Sequence, residues 1–258
     1  MRNILTGSLT ILALLLSSCS ATNYCAKSCG TNQNIGCNNN GAWASSCPSD
    51  KQLLTLTSAQ KAAIVDRHNQ HRNFIAGGGA SHLSRACRMA TMRWNDELAY
   101  LASLNVRSCE MKHDKCRKTD AFDYAGQNLA WMGWFAPLNA TAEVIRGVDM
   151  WYAEVKDTKQ SHIDAYPNNY NGPAIGHFTV MVADRNTAVG CAVSTYSVKN
   201  QSYKAFLMAC NYATTNMIGT KMYNSCSSAA SKCTTGVNPS YKFLCSASEN
   251  INPNNLNY

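Results

Sequence analysis

The chain has 258 residues, a formal net charge of +8 and thirteen cysteines, and charged side chains make up only 15% of it. That length can bury a real core, in one large domain or two small ones, so cross-links would supplement packing and not replace it. The positive charge forms no long block and comes with no recognition motif, which argues against a nucleic-acid partner.

At the N-terminus, Arg2 precedes an apolar run from Ile4 to Leu16 and the small residues Ser17, Ser18, Ser20 and Ala21. This is the layout of a secretory signal peptide over residues 1–20. Leu16-Ser17-Ser18-Cys19 also reads as a bacterial lipoprotein box, a rival that the density of cysteines further on disfavours. Removing the leader discards Cys19 and leaves twelve cysteines, an even set suited to an oxidising extracellular compartment. Nothing after it approaches the roughly 20 apolar residues of a membrane-spanning helix. A secreted, soluble monomer is expected.

Residues 21–56 hold Cys25, Cys29, Cys37 and Cys47 among many Asn and Gly without a helical or alternating pattern, and read as an irregular arm ordered by disulfides. Thr57-Ser58-Ala59-Gln60 is a capping box opening a helix that carries Ile64, Val65, His68, His71 and Ile75 and stops at Gly77-Gly78-Gly79. Asn95 can cap a second helix with Leu98, Leu101, Ala102 and Val106 at helical spacing. The cluster Arg107, Lys112, Lys115, Arg117 and Lys118, interrupted by Glu110 and Asp114, reads as a solvated face, with an anionic headgroup or glycan as the lesser reading. Val144, Val148, Trp151 and Val155 mark a third helix. Thr179–Val182, Val189–Ser194 and Lys204–Met208 read as strands. Helices followed by clustered strands predict an α+β domain with a mostly antiparallel sheet. The Ser-, Asn- and Cys-rich tail from Tyr223 onward reads as a pinned strap, and Asn139 and Asn200 open glycosylation sequons.

Three segments combine titratable and apolar residues: His113 between Cys109 and Cys116; Tyr124 to Trp131, followed by Glu154; and Gly176-His177-Phe178-Thr179 entering a strand. Here a resemblance becomes specific. Gly176-His177-Phe178-Thr179 resembles the first signature of the CAP superfamily of cysteine-rich secretory, antigen 5 and pathogenesis-related proteins. Leu207-Met208-Ala209-Cys210-Asn211-Tyr212 with Asn216 resembles the second. Ala125–Ala130 is similar to the family's Gly-Glu-Asn-Leu-Ala stretch, and Trp94-Asn95-Asp96-Glu97-Leu98-Ala99 to its second-helix opening. The arm Asn23-Tyr24-Cys25 with Cys29, Cys37 and Cys47 resembles insect venom and salivary antigen 5, and the tail through Cys233 and Cys245 its fly members. The match spans nearly all of the mature chain.

The resemblance implies a disulfide-stapled, three-layer α-β-α sandwich over residues 57–218, an extension over 219–258, and a cleft formed by His113, Gln127, Glu154 and His177. It further implies the pairs Cys25–Cys37, Cys29–Cys116, Cys47–Cys109 and Cys191–Cys210. The fly-type tail implies Cys233–Cys245, which leaves Cys87 with Cys226. Where the superfamily often has Glu, this chain has Gln127, an amide that cannot serve as a general base. Val180 and Ala183 stand where the family usually shows Gln and Trp.

Two imidazoles and Glu154 could hold Zn²⁺ or Cu²⁺ weakly, no cofactor being required; the simpler reading has these groups bond one another. Catalysis is not expected, because no Gly-x-Ser-x-Gly or His-Glu-x-x-His is present and Gln127 removes the second carboxylate. His68 and His71 read as a satisfied helix face. The family's recurrent property implies binding: a small hydrophobic ligand in a groove lined by Ile64, Ile75, Val144, Ile145, Val148 and Trp151, or a host extracellular protein. Val and Trp at helical spacing more often fill a core. A metal-dependent hydrolytic or redox activity at His113, Glu154 and His177 is the alternative function.

Overall fold

The structure is a computed structural model that describes residues 22–256. The expected signal peptide lies outside the described residues. Strands β4 (Ala188–Ser197) and β5 (Lys204–Tyr212) form an antiparallel hairpin at the centre of the main sheet. β3 (Gly126–Trp134) runs antiparallel along the far side of β5. β1 (Gln52–Leu54) lies antiparallel on β4, where β2 (Arg93–Trp94) adds a short parallel pairing.

Side chains of β5 alternate between two helical layers. Phe206, Met208, Cys210 and Tyr212 pack with Ile64 of α1 (Ser58–Ala76) and with Val144, Val148 and Trp151 of α3 (Ala140–Tyr152). Ala205, Leu207 and Ala209 pack with Ala102 and Val106 of α2 (Asp96–Val106). The result is the α-β-α sandwich expected. Because both faces of β5 are covered, its sequence reads as a continuous apolar run.

The helix starts are dictated locally. The Thr57 hydroxyl accepts from the Gln60 amide while the Gln60 side chain accepts from Thr57 N–H, completing the capping box. The side chains of Asn95 and Asn139 accept from Leu98 and Ala142 N–H in the same way. Within α1, the fully buried Arg72 donates to the carbonyls of Ala90, Met181 and Ala183.

Three expectations are corrected. Thr179–Val182 is not a strand: it belongs to a short helix, α5 (Gly176–Val182), with Phe178 to Val182 all buried. A brief, uniformly buried apolar run carries no period that separates the two states. Val155 lies beyond α3, in a 3-10 turn over Ala153–Asp157 that also carries Glu154. Finally, β3 went unread, since the buried Gln127 and Asn128 interrupt any strand pattern.

The structure closes six disulfides, Cys25–Cys37, Cys29–Cys116, Cys47–Cys109, Cys87–Cys226, Cys191–Cys210 and Cys233–Cys245, the pairs the resemblance implied. The tail carries a hairpin of β6 (Val237–Asn238) and β7 (Tyr241–Cys245); β7 lies along α1 and its Leu244 is buried with Ile75 and Met89.

Candidate functional site

Four elements bring the expected tetrad together. His113 comes from the loop between α2 and β3, Gln127 from the start of β3, Glu154 from the 3-10 turn after α3, and His177 from the first turn of α5. A cleft of about 310 Å³ opens among them, lined by His113, Gln127, Asn128, Tyr166, His177 and Asn216. Glu154 stands behind His177 and does not line the cleft. Its Oε1 is 2.6 Å from His177 Nδ1, and its Oε2 accepts from the Phe178 amide at 3.0 Å. The Trp151 ring lies nearly parallel to His177 at 6.4 Å.

The hydrogen-bond pattern defines what the cleft offers. Both Glu154 oxygens accept, so His177 Nδ1 is the donor to Glu154. His113 Nδ1 sits 2.8 Å from Gln127 Oε1. Behind the cleft, Asn128 Nδ2 donates to the His177 carbonyl and to the Tyr212 hydroxyl, which in turn meets His68 Nε2 at 2.9 Å. Asn216 Nδ2 holds the start of α5 through the Gly176 carbonyl and Thr179 Oγ1. Asp114, Asn128, Asn211, Tyr166 and Asn216 therefore belong to the site although the sequence reading gave them no role there. Asn128, Asn211 and Asn216 fall inside motifs the sequence singled out, and Asp114 is a carboxylate directly after His113 in a disulfide-bounded segment.

The candidate metal set is altered by this geometry. Glu154, expected beside the two imidazoles, has both oxygens engaged, and among the described residues no group of three His, Cys, Asp or Glu side chains could hold an ion together. Each of the two histidines is braced through Nδ1, His113 against Gln127 and His177 against Glu154. His68 and His71 are structural: His68 is fully buried, and His71 stacks on Tyr152 at 3.7 Å and bonds Asp149 at 2.7 Å.

The expected lipid-groove residues are placed elsewhere. Ile64, Val144, Val148 and Trp151 are buried in the core under the sheet and Ile75 in the core under the tail, so none can wall an open groove. Ile145 is half-buried on α3. The broader apolar concavity, about 530 Å³, lies on the outer side of α1 and is lined by Ala62, Val65, Met92 and Trp94 with Lys61 and Tyr241. Among the described residues no helix is long and apolar enough to cross a membrane.

Comparison with known proteins agrees with this architecture. The family model described as "CAP: Cysteine-rich secretory protein family" matches residues 65–212. The chain is 40% identical over 242 residues to Venom allergen-1 of Aedes aegypti, covering 93% of this chain and 92% of that protein. It is 40% identical to the Antigen 5 like allergen Cul n 1 of Culicoides nubeculosus, covering 74% and 91%. Tabinhibitin 3 of Tabanus yao is 29% identical, covering 95% and 94%. A solved structure of NaASP2 with Zn²⁺ superposes with a TM-score of 0.63 at 21% identity, over 78% of this chain and all of that one, a likeness of fold. The chain belongs to the CAP family of cysteine-rich secretory proteins and is similar to insect venom allergens of the antigen 5 type.

Proposed function

We propose that this is an extracellular, non-catalytic binding protein that engages another protein stoichiometrically. One observation carries the reading: His177, backed by Glu154, lines the cleft with no serine, threonine or cysteine nucleophile beside it among the described residues. No Ser, Thr or Cys lines the cleft, and all twelve cysteines of the described residues are in disulfides. The second carboxylate that paired proton transfer would use is the amide Gln127. Six cross-links also leave a rigid shell, which lowers the ordering cost of binding. The name of the Tabanus relative is that of an inhibitor, in keeping with a stoichiometric role.

Native mass spectrometry of the purified chain with candidate host extracellular proteins tests this. A complex of fixed ratio is expected, and ester, peptide and phosphoester substrates in excess should remain unconsumed. Repeated turnover that is lost when His113 and His177 are both replaced would overturn the reading. A small hydrophobic ligand is the second reading, favoured by the apolar lining of the 530 Å³ concavity beside α1. Co-purifying lipid that is lost on Val65→Asp would support it. His113 and His177 would hold Zn²⁺ or Cu²⁺ weakly, and the ion would supply positive charge to the cleft.

A further inference from the structure

We propose that Asp114 sets the hydrogen-bond polarity of the cleft, acting through Gln127 to hold His113 as the Nδ1–H tautomer with its Nε2 lone pair presented outward. The proposal deepens the binding reading above and rests on it only for the use to which that lone pair is put.

The Asp114 side chain is 7% exposed and paired with Arg117, whose Nε lies 2.9 Å from Oδ1. Its Oδ2 receives Asn105 Nδ2 at 3.2 Å and, at 2.7 Å, the end of the Gln127 side chain. An ionised carboxylate only accepts, so the Gln127 atom facing it is the NH₂ group. A second contact requires the same orientation. That NH₂ is 3.0 Å from Asn211 Oδ1, and Asn211 is itself oriented because its Nδ2 donates to the Leu98 carbonyl. Two acceptors thus claim one end of the amide, and the carbonyl end must face His113 Nδ1 at 2.8 Å. A carbonyl cannot donate, so Nδ1 supplies the proton.

The same contacts explain why residue 127 is an amide. A carboxylate there would face Asp114 Oδ2 and Asn211 Oδ1, two acceptors, one of them negative, in a largely buried place. Gln127 is then a relay with fixed polarity, and Asp114 is a positioning residue.

Long-range proton–nitrogen NMR of the imidazole rings tests this on the full chain, with His177 as internal control because Glu154 fixes it independently. The wild-type chain should show His113 as the Nδ1–H tautomer. Asp114→Asn lets the new amide turn its NH₂ toward Gln127 and leaves Asn211 Oδ1 as the one acceptor on that end of Gln127, so the His113 Nδ1–H signature should weaken while that of His177 stays. Gln127→Glu alone should lower the Tm. The combination of Asp114→Asn with Gln127→Glu restores donor against acceptor at the contact between residues 114 and 127, so it should recover the Nδ1–H signature and lose less Tm than the two single changes summed. Merely losing the Arg117 pairing would lower stability without moving the tautomer. A wild-type Nε2–H tautomer at His113, an unchanged tautomer in Asp114→Asn, or a double variant without recovery would each overturn the proposal. The readout needs no partner, so its failure is distinct from failure of the binding reading.

Discussion

His68 lies wholly inside the core, yet both ring nitrogens are bonded: Nδ1 to the Ile64 carbonyl at 2.8 Å and Nε2 to the Tyr212 hydroxyl at 2.9 Å. A carbonyl needs a donor, so Nδ1 is protonated and Nε2 accepts from the tyrosine. Burial is the main force on this ring and pushes its pKa down to about 4, while burial pushes the Tyr212 hydroxyl upward. An unfolded chain takes up a proton at His68 below about pH 6.5; the folded chain declines it until about pH 4. The stability that neutral His68 supplies is therefore full above pH 6.5 and is lost as pH falls toward 4. The total is on the order of 3 kcal/mol. His71 acts with the same sign, lowered by burial against the opposing bond from Asp149. Urea unfolding at about pH 7.5 and about pH 5 should show a clear fall in midpoint, and His68→Gln should flatten that fall at the cost of a lower midpoint at neutral pH. Equal midpoints at the two pH values would contradict this account.

Between elements, α2 packs on β4 at a point where no side chain fits. A Cβ on Gly190 would come within 2.3 Å of both the Ala99 nitrogen and the Asn95 carbonyl oxygen, backbone atoms that cannot rotate away. Gly190→Ala should separate helix from strand and cost about 3 kcal/mol or more, read as a drop in Tm. By contrast, Asn139→Ala should cost about 1 kcal/mol through loss of the α3 cap, and it removes the glycosylation sequon as well. Thr141→Ala removes the same sequon and leaves the cap in place, so comparing the two separates glycan from helix stability. Such features grade how much of the fold was legible. The caps at Thr57 and Asn95 were readable because a cap needs only a side chain and an amide three residues later. The identity of α5 was not, because Phe178 to Val182 are buried on every side and tertiary packing alone decides their backbone. β3 was hidden for a related reason: Gln127 and Asn128 serve the cleft, and their polar groups break the apolar pattern of a central strand. In the cleft, His113, Gln127, Glu154 and His177 were found through motif resemblance. The partners Asp114 and Asn211 could not be assigned, since they matter only through the side chains that the fold sets against them.

Across the whole molecule, the tail is tied down by covalent and ionic means together, and the two can be separated by pH. Cys87–Cys226 spans 139 residues and Cys233–Cys245 joins the tail to its own hairpin. Next to them the Glu249 carboxylate, 1% exposed, accepts from the amides and hydroxyls of Thr234 and Thr235 and from Arg88 Nε. Burial alone would raise its pKa, but these donors outweigh burial and bring it down to about 2. A carboxyl with a depressed folded pKa stabilises above its unfolded value near 4.5 and loses that contribution as pH falls toward 2. This window lies below most of the His68 window, so acid should act in two stages: the core weakens first and the tail anchor follows. Hydrogen exchange of amides 234, 235 and 245 should accelerate in the second stage. Glu249→Gln should make them exchange faster already at neutral pH and remove most of the further change in acid. Opening Cys87–Cys226 by paired Ser substitutions should instead lower global stability by about 2–5 kcal/mol at every pH, because a cross-link acts mainly through the unfolded chain and carries no proton. If Glu249→Gln reproduced that uniform loss with no change in the pH profile of the tail amides, the carboxylate would be filling space and the ionic half of the anchor would have to be abandoned.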